Sequence, residues 1–190
     1  MFDQLLVVLL DELGEAGRLD LERVLVDSAS VRAVEGALTG ATPVDRGKQG
    51  TKLHLAGDAG GLPLAGVLTA ANAHDSTMLG AVVDDIPPIR VPTRRRRRRP
   101  GTVLADKAYD YPRCRAELRR RGITPRIARR RVESSQRLGG HRWRIERTIA
   151  WLLGWRRLRV RYERSDERLF TFAMLACSAI LFNTLQQPPR

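Results

Sequence analysis

The sequence contains few cysteine, lysine and aromatic residues. Its 190 residues include two cysteines, Cys114 and Cys177, and neither lies in a CxxC or Cys/His spacing. This pattern excludes a cysteine zinc site and a disulfide framework, and it favours a reducing compartment. Only three of the 34 basic residues are lysine, so arginine carries nearly all of the positive charge. The planar guanidinium of arginine suits bidentate contacts to phosphate.

The sequence also lacks the pattern of a secretory signal or a bilayer span. Its N-terminal apolar segment has no basic start and carries acids throughout. The most apolar segment, 169–185, has 17 residues, whereas a bilayer span needs about 20. With Ser165 as an N-cap, this segment predicts a buried core helix. We expect no membrane association and a cytoplasmic, nucleoid-associated protein.

Charge is divided unevenly along the chain. Residues 1–89 hold 6 basic and 13 acidic side chains, whereas residues 90–190 hold 28 basic and 8 acidic ones. This concentration of arginine predicts a polyanion partner, most simply nucleic acid. The six-arginine run 94–99 predicts non-specific, salt-sensitive contact with phosphate, and a solvated run without such contact is the alternative.

The apolar pattern predicts one α/β domain over residues 1–190, a mixed sheet of about five strands with helices on its faces. The predicted strands lie near 23–27, 51–57, 62–70, 102–106 and 123–128. The predicted helices lie near 2–16, 78–85, 112–121, 141–153 and 169–185. Residues 86–100 contain four prolines and the arginine run, which predicts a solvated linker within the domain.

Two aspartates follow similar apolar segments, Asp27 after RVLV and Asp106 after TVLA. Neighbouring strands lie about 4.8 Å apart, so the two carboxylates meet if these strands are adjacent. Like charges at that distance raise each other's pKa or attract a cation. Oxygen ligands without cysteine or histidine favour Mg²⁺ or Mn²⁺ over zinc.

A third acid, Glu146, stands alone among eight arginines in residues 136–161. On the predicted helix it lies beside the apolar stripe Ile145, Ile149 and Leu152. Arg142 lies one turn earlier, where it either pairs with Glu146 or reaches a phosphate. Three carboxylates that hold two metal ions about 3.5–4 Å apart would bind a scissile phosphate from both sides.

Four blocks of the sequence together resemble the catalytic domain of bacterial insertion-sequence DDE transposases. In chain order they are VDSASVRA, PVDRGKQGTKLHLAGDAGGLPLAGVLTAANAHD, LADKAYD and HRWRIERTIAWLLGWRRLRVRYE. The resemblance spans about residues 2–185 and implies an RNase H-like fold, a mixed five-stranded sheet flanked by helices. It implies that Asp27, Asp106 and Glu146 are the catalytic, metal-binding residues, with two Mg²⁺ or Mn²⁺ ions as cofactors.

The resemblance also implies a reaction and partners. Activated water cleaves DNA at the ends of the mobile element, and the freed 3′-hydroxyl is transferred into target DNA. The implied partners are the terminal inverted repeats, the target DNA and a second copy of the chain, as a homodimer on DNA. The basic side chains expected to contact DNA are Lys107, Arg142, Arg144, Arg147, Arg156 and Arg157.

Some positions depart from the family pattern or allow two interpretations. Arg142 and Glu146 match a Tyr, Arg, Glu, Lys signature of related transposases, whereas Gly139 and Leu153 replace its Tyr and Lys. Met1 lies 26 residues before Asp27, so we expect a second-reading-frame product, or an inactive shortened copy, without an N-terminal DNA-binding region. The loop residues His74 and Asp75 either support the catalytic carboxylates and substrate or cap a helix.

Two rival functions remain open at the level of sequence. One is a non-catalytic, basic nucleic-acid-binding protein, which would gain nothing from acids after apolar strands. The other is a nuclease or junction resolvase on the same fold, which differs only in whether cleaved ends are joined to target DNA. The three tryptophans, Trp143, Trp151 and Trp155, are expected to pack in the core rather than to stack on bases.

Overall fold

The structure, a computed structural model, describes residues 2–43, 45–93, 95–131 and 135–188, without the side chains of residues 2–3 and 135–142. The strands are β1 (Arg23–Ala33), β2 (Gly40–Ala41), β3 (Gln49–Gly57), β4 (Pro63–Ala70), β5 (Ile89–Arg90), β6 (Arg96–Arg97), β7 (Thr102–Ala105), β8 (Thr124–Ile127) and β9 (Val160–Arg161). The helices are α1 (Phe2–Glu15), α2 (Leu79–Asp84), α3 (Pro112–Arg120), α4 (Ser135–Gly154), α5 (Arg156–Arg159) and α6 (Asp166–Gln186).

A mixed sheet with β1 at its centre organises the molecule. On one side β1 pairs antiparallel with β3, which pairs antiparallel with β4; on the other side β1 pairs parallel with β7, and β7 with β8. The short strand β2 pairs with β3, and the short strand β9 pairs with β1. The five predicted strands are thus confirmed as one mixed sheet, flanked by helices, in the α/β, RNase H-like class that the resemblance implies.

The central strand is longer than its sequence pattern predicts. We expected it to end at Asp27, but β1 continues to Ala33. Beyond Asp27 it stays paired with β3, through Arg32 opposite Gly50, and it gains β9 as a second neighbour. The parallel neighbour β7, in contrast, stops at Ala105. Asp27 therefore lies in the middle of a strand, at the point where the adjacent strand has ended.

Helices α1 and α3 agree more closely with the predicted bounds than the helix that carries Glu146. The N-terminal helix, α1, has nearly its predicted bounds, and so does α3. The helix that carries Glu146 begins at Ser135, six residues before the predicted start at His141. The turn of helix α5 and strand β9, residues 156–161, was not predicted, because four residues of helix and two of strand leave no periodic pattern.

The C-terminal helix α6 packs one face against the protein, as expected of a core helix. Ser165 caps it by accepting a hydrogen bond from the Arg168 amide. Its buried face includes Leu169, Met174 and Leu181 and lies against α1 and β4. Length and hydropathy alone would also suit α6 to a bilayer, and it is the one such helix within the described ranges.

The expectation of a solvated linker at 86–100 is wrong. The side chains of Ile86 and Ile89 are buried, and β5 pairs antiparallel with β6 in a short hairpin. This hairpin lies so close to α1 that a Cβ atom on Gly14 would sit 2.1 Å from the Arg90 carbonyl oxygen. Two apolar side chains and strand pairing thus anchor a segment whose composition suggested only solvent exposure.

Acidic residues of the first half of the chain pair with two side chains of the arginine run, Arg96 and Arg97. Arg96 donates to Asp11 at 2.9 Å and Arg97 to Glu22 at 2.6 Å, while Arg90 lies 3.1 Å from Glu15. Arg98 and Arg99 donate to backbone carbonyls, and Arg94 lies outside the described residues. The run is therefore engaged in intramolecular contacts, which its sequence did not indicate.

The guanidinium of Arg161 is buried and joins three parts of the chain. It donates to the carbonyls of Ala37, Glu163 and Arg164 at 2.7–3.1 Å and to the Thr51 hydroxyl at 2.5 Å. Its own strand, β9, pairs with the end of β1. Arg161 thus ties the loop after β1 to the segment after α4, although the sequence places it in a stretch of solvent-facing arginines.

Replacement of Arg161 by alanine is expected to destabilise the protein by at least about 2 kcal/mol, because several buried acceptors lose their donor. The free energy of unfolding from urea titrations measures the effect. Arg159→Ala removes an exposed arginine two residues away and is expected to change this energy by less than about 0.5 kcal/mol. Equal effects of the two substitutions would contradict the structural role of Arg161.

The turn between β3 and β4 is built around the buried carboxylate of Asp58. This carboxylate accepts hydrogen bonds from the Asp20 amide at 3.1 Å and the Leu62 amide at 2.8 Å. Burial raises the pKa of Asp58 to about 6, against the opposite effect of these backbone hydrogen bonds. The native state therefore holds a proton on Asp58 at pH values where the unfolded chain has lost it.

Asp58→Asn is expected to destabilise the protein more at pH 5 than at pH 8. A raised native pKa adds stability that is complete below the ordinary value of 3.8 and is lost as pH rises through about 6. Asparagine cannot titrate, so it removes this contribution. Urea unfolding at both pH values provides the test, with Asp45→Asn, at a half-exposed carboxylate, as the control. A loss of stability that is the same at both pH values would contradict the role of the buried proton.

Candidate active site

The register of β1 and β7 brings two of the predicted catalytic acids together. Val26 pairs with Ala105 in the parallel ladder, so Asp27 and Asp106 follow at adjacent positions on neighbouring strands. A side-by-side placement of these carboxylates was predicted from the repeated strand pattern, and the strand adjacency on which it depends is confirmed.

Each aspartate is oriented by a nearby backbone amide. Asp27 accepts a hydrogen bond from the Ser28 amide at 2.8 Å. Asp106 accepts one from the Ala108 amide at 2.7 Å and thereby caps a single 3₁₀ turn, Lys107–Tyr109. Each bond uses one oxygen of a carboxylate. Because the carboxylate group is planar, fixing one oxygen also restricts the position of the second.

Tyr109 lies buried beneath the two aspartates. Its hydroxyl has no hydrogen-bond partner among the described residues. Burial, and next the negative charges of Asp75, Asp27 and Asp106, raise the pKa of Tyr109 well above its ordinary value. The phenol therefore remains protonated, and the charges of three carboxylates contribute to this. Asp75 thus acts on the same tyrosine as the two predicted catalytic aspartates.

Asp75 is held in the site by a lysine and a serine. Its Oδ1 accepts hydrogen bonds from Lys52 Nζ at 2.9 Å and from Ser28 Oγ at 2.8 Å. Burial opposes its charge, but these hydrogen bonds and the charge of Lys52 outweigh burial and lower the pKa of Asp75. Because Ser28 is the chain neighbour of Asp27, Asp75 constrains the backbone that carries this predicted catalytic aspartate.

A neutral histidine completes this polar layer. His54 is fully buried, its Nε2 lies 2.8 Å from Thr69 Oγ1, and its Nδ1 lies 3.9 Å from Asp75 Oδ1. Burial lowers the pKa of His54 to about 4, because the effect of burial is larger than the opposite effect of the Asp75 charge. Lys52 and His54 were not among the predicted site residues, although their alternation with Leu53 and Leu55 indicates one polar face of β3.

His74 lies at the rim of the site. Its Nδ1 is 2.8 Å from Ser76 Oγ and accepts from the Ser76 amide, so His74 caps the 3₁₀ turn 75–77. Its Nε2 lies 3.3 Å from the Tyr111 hydroxyl, and the guanidinium of Arg130 stacks 5.0 Å from the Tyr111 ring centroid. The capping alternative named Asp75 as the cap of a helix, but the cap is His74, and Asp75 is instead bound by Lys52 and Ser28.

Glu146 lies on the exposed side of α4, whose apolar stripe packs on the sheet. Ile145 and Leu152 are buried, and a Cβ atom on Gly57 would lie 2.8 Å from Ile145 Cδ1. Gly57 pairs with Leu25, two residues before Asp27. The helix therefore crosses the sheet close to the aspartates, and the predicted burial of its stripe is confirmed for Ile145 and Leu152.

The three predicted catalytic acids do not form one closed cluster in this structure. Within the described ranges, no group of three or more His, Cys, Asp or Glu side chains is placed to hold a metal ion. The adjacent strand positions of Asp27 and Asp106 fit a shared divalent cation with oxygen ligands. Glu146 is not grouped with them, so the set fits such a cation in part.

Two of the predicted DNA-binding arginines hold α4 on the β3–β4 turn. Arg144 donates to the Ala59 carbonyl at 2.6 Å, and Arg147 donates to the Gly60 carbonyl at 2.9 Å. Thr148 adds a hydrogen bond to the Gly61 carbonyl. These side chains therefore have a structural role beside any contact with DNA.

The other predicted DNA-binding residues differ in their surroundings. Arg156 and Arg157 are exposed on α5, and Arg157 pairs with Glu163 at 2.8 Å. Lys107 lies in the 3₁₀ turn directly after Asp106. The side chains of His141 and Arg142 lie outside the described residues, so the expected partnership of Arg142 with Glu146 stays a prediction.

The expectation that the tryptophans pack in the core is wrong. Trp143, Trp151 and Trp155 are 48%, 46% and 46% exposed. Their apolar periodicity suggested burial, but the buried face of α4 is taken by Ile145, Thr148 and Leu152. The helix therefore presents its aromatic side chains to the solvent.

Comparison with known proteins places this site in a family. The family model described as "Transposase DDE domain" matches residues 18–182, which include Asp27, Asp106 and Glu146. A curated protein of Burkholderia cepacia, "Putative transposase for insertion sequence element IS402", is 48% identical over 149 residues, which are 78% of this chain and 71% of that protein.

A solved structure, "Mos1 transposase paired-end complex with left transposon end", is also similar at 12% identity and a TM-score of 0.35, which is too low to support an argument. The match covers 95% of this chain, which spans 59% of that one. The family match over most of the chain and the relative at 48% identity are sufficient: the chain belongs to the DDE-domain transposases.

Proposed function

We propose that the chain cleaves DNA at the ends of an insertion sequence and joins the freed ends to target DNA. In the first step water attacks the scissile phosphorus, the bond to the 3′-oxygen breaks, and a 3′-hydroxyl and a 5′-phosphate result. In the second step that 3′-hydroxyl attacks a phosphorus atom of the target strand, a new phosphodiester bond forms, and the bond from this phosphorus to the target's own 3′-oxygen breaks, which leaves a 3′-hydroxyl on the target strand. The observation that carries this proposal is the parallel register that places Asp27 beside Asp106.

Asp27 and Asp106 would hold Mg²⁺ or Mn²⁺, and Glu146 would be the third carboxylate of the ligand set. Bound divalent ions, two by the resemblance, supply Lewis-acid stabilisation of the phosphoryl oxygens and a more acidic water. Support for Glu146 comes from its helix, which packs on Gly57 near the aspartates.

Asp75 and His74 act as positioning residues in this proposal. Asp75, charged and paired with Lys52, holds Ser28 and with it the backbone of Asp27. His74 links this loop to Tyr111, which follows the turn capped by Asp106. Tyr109, which is part of the core, stays protonated because burial and the charges of these carboxylates raise its pKa.

The partners proposed for this activity are the terminal inverted repeats of the element and the target DNA. Lys107, Arg142, Arg144, Arg147, Arg156 and Arg157 would contact their phosphates. We further propose that the chain acts as a homodimer on DNA, in the cytoplasm at the nucleoid, because two element ends must be processed together.

Asp27→Asn is expected to abolish nicking of DNA that carries the terminal repeats, because an amide cannot hold the cation as a carboxylate does. Nicking is measured on labelled DNA with Mg²⁺ or Mn²⁺, and binding is measured separately by electrophoretic mobility. Binding should persist. Asp45→Asn, at a half-exposed aspartate paired with Lys48, should leave both unchanged.

Several results of this experiment would contradict the proposal. Equal nicking by the wild type and Asp27→Asn would exclude the assigned site. Nicked 3′ ends that never join target DNA would indicate a nuclease or resolvase instead. Binding without nicking by the wild type, with either ion, would indicate a non-catalytic DNA-binding protein.

Asp75→Asn is expected to reduce the nicking rate by about 10- to 100-fold, the range typical of residues that orient metal ligands. Because Asp75 acts through Asp27, the Mg²⁺ concentration for half-maximal nicking should also rise, which a loss of folded protein would not produce. Asp84→Asn, which disturbs an ion pair with Arg121, is the matched control. An unchanged Mg²⁺ dependence would contradict the positioning role.

DNA binding is expected to weaken steeply with salt, and the two arginine-rich segments should differ in their share. Arg156→Gln should reduce the slope of log K against log salt by about one, as for one lost phosphate contact. Arg96→Gln should change the slope little, because Arg96 is already paired with Asp11. Fluorescence anisotropy across a salt series gives both slopes. The opposite order would show that the run 94–99 is the main contact.

A further inference from the structure

The exposed face of α4 carries three side chains in one line. Trp143, Arg147 and Trp151 follow one another at intervals of four residues, which places them along one line of a helix surface. The guanidinium carbon of Arg147 lies 4.9 Å from the ring centroid of Trp143 and 4.6 Å from that of Trp151. We call these three residues the aromatic row.

The aromatic row is held in place before any ligand binds. Arg147 donates a hydrogen bond to the Gly60 carbonyl at 2.9 Å, which fixes its side chain against the β3–β4 turn. Both indole rings pack on this fixed guanidinium. A surface whose side chains are already ordered loses less conformational entropy on binding. The row therefore has the rigidity expected of a recognition surface.

The charge around the row selects the class of ligand. Within residues 143–160 the helices α4 and α5 carry a single acid, Glu146, and five arginines, Arg144, Arg147, Arg156, Arg157 and Arg159, so this surface attracts polyanions. Indole rings about half exposed among arginines offer flat faces for stacking on bases, which is how proteins bind single-stranded nucleic acid. Bases within a duplex are stacked on one another, so unpaired bases are the part of DNA that fits this row.

The row adjoins the proposed catalytic acid. Glu146 directly precedes Arg147, and Trp143 lies three residues before Glu146, so they are neighbours on the helix surface. From Trp143 to Trp151 the helix rises about 12 Å, at about 1.5 Å per residue. A stacked strand rises about 3.4 Å per base, so the row matches about three or four bases.

We propose that the aromatic row binds a short segment of unpaired bases in the DNA strand next to the cleaved phosphate. This inference rests on the proposed function, because DNA is the polyanion and Glu146 marks the reactive phosphate. The row would hold bases that leave the duplex at the end of the element, while arginines hold the phosphates. It assigns Trp143 and Trp151 to substrate binding.

The test compares two DNA probes without divalent ions, so that binding is measured apart from cleavage. One is a blunt duplex, and the other is the same duplex with a tail of four unpaired nucleotides. Trp143→Ala and Trp151→Ala are each expected to weaken binding of the tailed duplex by about fivefold or more. Binding of the blunt duplex should stay within about twofold of the wild type. Fluorescence anisotropy with end-labelled DNA measures both affinities.

Three controls separate base stacking from other effects. Trp155→Ala removes an indole of equal exposure, 46%, outside the row, and should leave the preference for the tailed duplex unchanged. Trp143→Phe keeps an aromatic face and should retain most of that preference. A tail of abasic sites keeps the phosphates but lacks the bases, and it should bind the wild type no better than the blunt duplex.

The inference is overturned if the abasic tail binds the wild type as tightly as the normal tail, or if Trp155→Ala weakens binding as much as Trp143→Ala. It is also overturned if the row variants change self-association in sedimentation experiments and leave tail binding unchanged, because the row would then be a protein interface. Nicking by Asp27→Asn tests the proposed function separately. Loss of tail binding in the row variants, together with nicking that is independent of Asp27, would reject the assigned chemistry alone.

Discussion

The parallel pairing of β1 with β7 is the interaction on which the site depends. Hydrogen bonds through Val26 and Ala105 fix the two strands in one register, and the next residue on each strand is an aspartate. A shift by one residue would turn one carboxylate to the opposite face of the sheet. Because β7 ends there while β1 continues with β3, Asp27 borders an opening in the sheet and still has a rigid backbone. A stable strand pairing thus holds two like charges at adjacent positions.

A layer of polar side chains on β3 and the following loop supports this arrangement. Lys52 offsets the charge of Asp75, and neutral His54 fills the space beside it without adding charge. Buried polar groups are costly unless they are paired, so their presence beneath the aspartates indicates a constraint from the site and not from the core. On the other side, Arg144, Arg147 and Thr148 bind the carbonyls of the β3–β4 turn and thereby set the position of α4. The helix that carries Glu146 is therefore positioned by a turn that is itself ordered by Asp58.

The division of charge along the chain has two consequences in the folded protein. Acids near the N-terminus, Asp11, Glu15 and Glu22, pair with arginines of the 90–97 segment and join α1 to the β5–β6 hairpin. The arginines after residue 140 face fewer acids, and several flank the helix that carries Glu146. The total positive charge is therefore a poor measure of the surface available to DNA. The part near α4 and α5, with its exposed tryptophans, is the part suited to a polyanion.

The amino-acid sequence by itself determined the class of fold, the five main strands and the family, because apolar periodicity and four ordered motif blocks survive without knowledge of contacts. It also indicated that Asp27 and Asp106 follow adjacent strand positions, since both come after the same kind of apolar segment. Only the tertiary structure decided the environment of each charge. In the sequence, Arg161 and the arginine run cannot be distinguished from solvent-facing arginines. In the fold, Arg161 binds buried carbonyls, and Arg96 of the run pairs with the distant Asp11. Likewise the tryptophans are exposed because smaller side chains occupy the buried face of α4, a competition for space that depends on the partner surface and not on helical spacing.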